Sequence, residues 1–285
     1  MKDTYLLDNY SINFNGNLLN LNTPIIMSIL NTTPDSFFDG GNYNSLEGAL
    51  KKVEKDLESG ATIIDIGGYS TKPNGHEVSL EEEIKRTIPY IEAIIRRFPN
   101  VNLSIDTFRG KVASLALQAG AGMINDISAW NIDDEMIKIV SKYKVPYVLM
   151  HMRGKPKTMQ NQPYYDNLIK DILDFLVKKI DILKSNGLKD IIIDPGFGFG
   201  KTIAHNYSIL SNLNCLKVLK LPILVGISHK SMIYKKLKIS KLDTLNGTTA
   251  LNMYSLSKGA KILRVHDVKE AMECIKLSEA INKNY

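Results

Sequence analysis

The sequence predicts an α/β protein built as one (β/α)8 TIM barrel, a single domain over residues 1–285. Three observations carry this. Eight short apolar runs, each nearly continuous and rich in Ile, Val and Leu, recur along the chain. Strands covered on both faces read this way. Longer segments with helical periodicity lie between them, and strand–helix alternation repeated eight times closes a barrel. The runner-up, an open doubly wound sheet, would be expected to carry a dinucleotide fingerprint that is missing here.

In chain order, the region 1–20 with "YSINFNGN" is expected to form a small hairpin across the barrel bottom rather than a second domain. The strand runs follow as "PIIMSILN" (24–31), "ATIIDIGG" (61–68), "NLSIDT" (102–107), "GMINDIS" (122–128), "VPYVLMH" (145–151), "DIIIDPG" (190–196), "PILVGISHK" (222–230) and "KILRVHD" (261–267). Among the helical segments, 45–60 opens on a Ser cap with Glu47 in its first turn and closes on Gly60. Segment 79–98 repeats the device, with Pro89 predicting a kink or interruption. Segment 109–121 ends at Gly120, and 164–187 is the longest.

Composition narrows the function classes. At 285 residues and 44% hydrophobic, the chain suffices for one large core. A net charge of +6 would suit nucleic acid, but the lysines are scattered and no RNA or DNA motif is present. An anionic small substrate is the better expectation. Cys215 and Cys274 form neither a metal pair nor a disulfide framework, which points to a reducing cytoplasm. No apolar run approaches a membrane span, so no membrane partner is expected.

Barrel active sites gather where the strands end. Those positions hold Asn31, Asp65, Asp106, Asn125, Asp126, His151, Asp194, Lys230, Arg264 and His266. For any one of them, pairing with a neighbour accounts for the residue as well as a ligand does. For so many buried polar groups together, a ligand is the better account. Asn and Asp suit a flat heterocycle with N–H and amino donors, since a carboxylate accepts two parallel bonds from a guanidine-like edge. Lys230, Arg264 and His266 suit an anion such as a phosphate. His151 is read as structural, because nothing in its neighbourhood demands a general base.

The stretch "KDIIIDPGFGFGKT" (189–202) resembles two phosphate loops and is neither. A Walker loop needs Gly five positions before Gly200, where Pro195 stands; a dinucleotide loop needs Gly at 201, where Lys stands. Gly196, Gly198 and Gly200 instead allow a sharp turn after the sixth strand. Phe197 or Phe199 is then either an aromatic wall or core.

Eight ordered motifs together resemble the dihydropteroate synthases of the folate pathway. They are "IMSILNTTPDSFFDGG", "GATIIDIGGYSTKPNG", "SIDT", "INDIS", "VLMHMRGKPKTMQ", "DPGFGFGKT", "LVGISHKSMI" and "RVHDV", and they run nearly end to end. The resemblance implies a transferase that condenses 6-hydroxymethyl-7,8-dihydropterin diphosphate with 4-aminobenzoate, requires Mg²⁺, and works as a cytoplasmic homodimer. It implies that Asn31 attends the Mg²⁺. It gives Asp106, Asn125, Asp194 and Lys230 to the pterin, and Arg264 and His266 to the diphosphate. Thr71, Pro73, Phe199, Ser228 and Ser231 are implied around the aminobenzoate. Lys230, Asp106, Arg264 and His266 are the implied catalytic set. The Gly- and Pro-rich loops after the first two strands are expected to move over the substrates.

The chain departs from the family pattern at three positions. Tyr69 stands where Glu is usual, Lys72 where Arg is usual, and His229 where an Arg precedes the Lys. Lys72 keeps a charge without the planar fork, and a free imidazole is mostly neutral at pH 7. A corrinoid-linked pterin methyltransferase would share the Asp and Asn residues, but not Lys230 with Arg264 and His266. A degenerate non-catalytic paralogue would rest on the three departures alone.

Overall fold

The computed structural model describes residues 10–33, 45–69, 77–154, 159 and 163–283. The chain enters through a hairpin of β1 (Ser11–Phe14) and β2 (Asn17–Asn20). Asn15 and Gly16 both have positive φ, the condition of a tight two-residue hairpin turn. Eight parallel strands follow: β3 (Ile25–Asn31), β4 (Ile63–Gly67), β5 (Asn102–Asp106), β6 (Met123–Asp126), β7 (Tyr147–Met150), β8 (Ile191–Asp194), β9 (Leu224–Val225) and β10 (Ile262–Val265). Their order is β8-β7-β6-β5-β4-β3-β10-β9. A parallel bridge from Ile193 to Ile223, with Ile193 N–H donating to the Pro222 carbonyl at 3.0 Å, joins the two ends and closes the barrel.

Nine helices surround the barrel among the described residues: α1 (Leu46–Glu58), α2 (Leu80–Arg97), α3 (Gly110–Gln118), α4 (Glu135–Tyr143), α5 (Leu168–Ser185), α6 (Ile203–Ser211), α7 (Ser231–Leu237), α8 (Leu245–Ser257) and α9 (Val268–Lys283). Ser45 and Ser79 cap α1 and α2 by accepting from Gly48 N–H and Glu82 N–H, both at 3.1 Å. Each cap is worth about 1 kcal/mol. Pro89 does not interrupt α2, which is assigned as one helix over 80–97. A proline removes one intrahelical bond, and the buried face of Thr87, Ile91 and Ile94 holds the turn in place. α5 starts at Leu168, capped by Asn167, and not at Tyr164. Tyr165 instead folds inward, its hydroxyl donating to the Gly200 carbonyl at 2.8 Å.

Alternation along the strands sorts side chains into two cores. Ile26, Ile64, Ile66, Leu103, Ile105, Ile124, Leu149 and Leu263 face outward against the helices. Met27, Ile63, Met123, Val148, Ile192, Leu224 and Ile262 face inward, and Ile12, Phe14 and Leu21 cover them from below. The hairpin turn lies so close to β6 that a Cβ on Gly122 would stand 2.6 Å from the Phe14 ring. The lower barrel is therefore mostly hydrocarbon, and the charged side chains that face inward stand at its upper end.

Candidate active site

Two residues above the apolar layer, the inward parity delivers Asp65, Asn125, Asp194 and Arg264. Arg264 Nε donates to Asp65 Oδ2 at 2.7 Å, and its Nη2 donates to Asp106 Oδ2 at 2.6 Å. Asn125 Nδ2 donates to the same Asp65 oxygen at 2.8 Å. Four residues from four strands thus form one network across the barrel mouth. Asp65 is fully buried, and its Oδ1 has no hydrogen-bond partner among the described residues. An orphan carboxylate oxygen of this kind is a seat for a donor.

Burial pushes the Asp106 carboxyl up to about 7, against the pull of Arg264. Asp194 is also raised by burial, with Lys230 and the Gly196 N–H acting in the opposite direction. The N–H of Gly196 donates to Asp194 Oδ1 at 2.7 Å, leaving Oδ2 as the other accepting edge. Lys230 Nζ donates to the Phe197 carbonyl and lies 4.8 Å from the centre of the Phe199 ring. Burial brings this ammonium down to about 8, with Asp194 partly opposing the shift. On the neighbouring turn, Ser228 Oγ lies 2.9 Å from His266 Nδ1. Burial, followed by the charge of His229, pushes His266 well below the ordinary histidine value, so this ring is neutral.

The glycine run after β8 now has a physical explanation. A Cβ on Gly196 would stand 2.0 Å from the His151 carbonyl oxygen, and one on Gly200 would stand 2.3 Å from that of Arg153. The turn packs directly on the backbone that follows β7, and both positions have positive φ. Lys201 fastens the two segments. Its Nζ reaches His151 Nδ1 at 3.0 Å, the His151 carbonyl at 3.1 Å and the Phe199 carbonyl at 3.0 Å. Burial brings Lys201 down to about 7. The same turn divides the phenylalanines: Phe197 is fully buried core, whereas Phe199 is half-buried beside Phe108, Met150 and Met152.

Two members of the strand-end ring do not face the site. Asp126 follows the inward Asn125 and so points outward. There it accepts from Ser128 N–H, Trp130 N–H and the Tyr147 hydroxyl at 2.7, 2.8 and 2.6 Å. His151, one past the inward Met150, also faces out, onto Lys201 and 4.9 Å from the Phe175 ring. Asn31 is exposed at the end of β3, and Ser231 is half-buried at the start of α7. Thr71, Lys72 and Pro73 lie outside the described residues, as does most of each loop after β3 and β4.

Sequence reasoning missed Lys201 and a second buried group below the β4 loop. Glu83, fully buried, accepts from Thr107 Oγ1 at 2.6 Å and from Arg109 Nη1 at 2.7 Å. Arg109 also donates to the Val78 carbonyl at 2.7 Å and lies 5.4 Å from the ring centres of both Tyr69 and Phe108. The departure at Tyr69 is accommodated here, edge-on to Phe108 at 5.0 Å.

Comparison with known proteins agrees with this geometry. The family described as "Pterin binding enzyme" matches residues 27–266. The dihydropteroate synthase of Escherichia coli (strain K12) is 42% identical over 95% of this chain and 98% of its own length. That of Haemophilus influenzae is 45% identical over 93% and 97%. The Yersinia pestis dihydropteroate synthase, solved with a sulfonamide drug, superposes with a TM-score of 0.92 at 42% identity, covering 96% of this chain and 100% of that one. The Xanthomonas albilineans enzyme in complex with 7,8-dihydropteroate gives 0.85 at 35% identity, covering 96% and 99%. The chain therefore belongs to the pterin binding enzymes and, among them, to the dihydropteroate synthases.

Proposed function

We propose that this chain joins the methylene carbon of 6-hydroxymethyl-7,8-dihydropterin diphosphate to the amine of 4-aminobenzoate, giving 7,8-dihydropteroate and diphosphate. The observation that carries this is the inward polar layer of Asp65, Asp106, Asn125, Asp194 and Arg264 above a mostly apolar floor. A flat heterocycle with amino and ring N–H donors matches its carboxylate and amide oxygens. In this reading the Asp194 edge and Asn125 hold the pterin, and Asp106 with Asp194 favours the positive charge that develops on the methylene as its C–O bond breaks. The bonding pair leaves with the diphosphate, near Arg264 and His266, with Lys230 on the neighbouring turn and Ser228 Oγ 2.9 Å from the His266 ring nitrogen. The amine then attacks the carbon and releases a proton. Phe199, with Lys230 over its face, supplies an aromatic surface for the second substrate, and Ser231, at the start of α7, is assigned to the same substrate.

Mg²⁺ belongs to the same reading. Among the described residues no group of three His, Cys, Asp or Glu side chains is placed to hold a metal. The exposed Asn31 offers one hard amide oxygen, which fits a cation that keeps its waters and takes its remaining ligands from phosphate oxygens. When bound there, Mg²⁺ would neutralise charge on the leaving diphosphate. A homodimer is the proposed working form, supported by exposed apolar side chains on and around the last three helices: Leu237, Leu242, Leu277 and Ile281. A cytoplasmic location is supported by the free thiols of Cys215 and Cys274. No helix among the described residues is long and apolar enough to cross a membrane.

Incubating the purified protein with the pterin diphosphate, 4-aminobenzoate and Mg²⁺ tests the reading. Dihydropteroate and diphosphate should appear in equal amounts. A folded protein that binds both substrates and forms no product would refute it.

A further inference from the structure

The turn after β6 adopts a backbone that its sequence does not favour, and a helix outside the barrel holds it there. The Ser128 carbonyl accepts from Asn131 N–H at 3.1 Å, and the two residues between them, Ala129 and Trp130, have φ of 49° and 54°. Positive φ at both central positions is the pattern of a type I′ turn, which normally takes Asn and Gly. A side chain there crowds the following carbonyl oxygen. Such strain persists only where the surroundings over-determine the backbone.

Two groups do so here. From the strand side, Asp126, itself held by the Tyr147 hydroxyl, accepts from Ser128 N–H and Trp130 N–H at 2.7 and 2.8 Å. From the helix side, Lys179 of α5 donates from Nζ to the Ala129 carbonyl and to Asn131 Oδ1, both at 2.7 Å. The same nitrogen stands 3.9 Å from the centre of the Trp130 ring. An amine and an ammonium both have the two N–H groups that these bonds use, so the clamp holds in either state.

The strained turn is the outer end of a segment whose inner end faces the site. Asn125 points inward and donates to Asp65 Oδ2 at 2.8 Å, and its carbonyl accepts from Thr107 N–H at 3.1 Å, next to Asp106. Ile127 packs with Met150 and Met152 in the apolar cluster against which Phe199 lies. A turn that relaxed to negative φ would carry Ile127, and through Asp126 the Asn125 amide, out of register. We propose that Lys179 is a positioning residue: from outside the barrel it holds the left-handed turn that fixes Asn125 and Ile127 against the pterin. This rests on the reading of Asn125 as a pterin residue.

Calorimetry of the purified protein with hydroxymethyl pterin lacking phosphates, and separately with inorganic diphosphate, tests it. Lys179→Met keeps the stem and removes the donors. It should weaken the pterin about tenfold and leave diphosphate unchanged. Lys179→Arg should bind the pterin within about twofold of wild type, because a guanidinium donates to both acceptors and stacks on an indole. Glycine adopts positive φ without strain, so Ala129→Gly added to Lys179→Met should recover about threefold or more of the loss. Asn131→Ala, at an exposed position, should cost about threefold through one lost bond, and it keeps the test open if the Met variant does not fold. Equal losses for both ligands, or a lower thermal midpoint with unchanged pterin affinity, would show a purely structural residue and overturn the proposal. An Arg variant as weak as Met, or a glycine that recovers nothing, would overturn it as well. A wild type that binds the pterin but forms no product would defeat the synthase reading alone. Met and Asn131→Ala variants that bind the pterin as tightly as an active wild type would defeat this inference alone.

Discussion

Replacing Arg264 by Lys probes the centre of the site, because it keeps the charge and removes the geometry. Arg264 spans two carboxylates on different strands, through Nε to Asp65 and Nη2 to Asp106. An ammonium on a straight stem satisfies one of them and cannot reproduce the fork. A hydrogen bond to a charged group contributes about 1.5–3 kcal/mol. The Arg264 side chain is 20% exposed, so solvent recovers part of this, and the lower end applies. The Lys variant should lose about 1.5 kcal/mol of stability and, with Asp106 no longer aligned, about tenfold in kcat/KM. Removing the cation altogether would leave Asp65 buried and unpaired by charge, at a cost of about 3–5 kcal/mol that confounds function with folding. Urea unfolding and steady-state kinetics on the same preparation decide the matter. A Lys variant with wild-type kcat/KM and an unchanged urea midpoint would show that the bridge contributes nothing. A stability loss with full activity would show that it does not align Asp106.

Three further outcomes follow. kcat/KM should rise as Asp106 loses its proton near 7 and fall as Lys230 loses its proton near 8, giving a narrow maximum between them; a profile flat from about pH 6 to about pH 9 contradicts this. Lys201 is held near 7 in the fold against 10.5 when free, so the unfolded chain binds its proton more tightly and stability should climb as pH rises from about 7 toward 10.5. Lys201→Met should flatten that climb, by up to about 4 kcal/mol, as read by urea unfolding at several pH values; an unchanged slope assigns it to other groups. Gly200→Ala combines a φ of 64° with a Cβ 2.3 Å from a carbonyl oxygen, and should lower stability by about 2 kcal/mol or more; an unchanged thermal midpoint would refute the close-approach account.

The barrel was legible because strands covered on both faces must be continuously apolar, and eight such runs stand out. The polar layer was legible in kind but not in direction. Asn125 and Asp126 are adjacent, and alternation sends them to opposite faces. The parity that decides between them is set by Met123, which packs on the hairpin-capped floor. The same parity turns His151 outward. Pro89 does not break α2, because local propensity ignores the buried face that holds the helix together. The Lys201 clamp was hidden in a stretch that invites reading as a damaged phosphate loop. The His229 contacts to Thr244 and Asp267 span 15 and 38 residues, and no periodicity connects such positions.

The central claim is a division of labour, with Asp194 reading the pterin ring and His266 reading the diphosphate. Calorimetry of two ligands against two variants tests it most directly. Asp194→Ala should weaken the pterin diphosphate and the phosphate-free hydroxymethyl pterin alike, by about 2 kcal/mol or more. His266→Ala should weaken the diphosphate ester and leave the phosphate-free pterin nearly unchanged. Matching losses for both ligands in both variants would contradict the account.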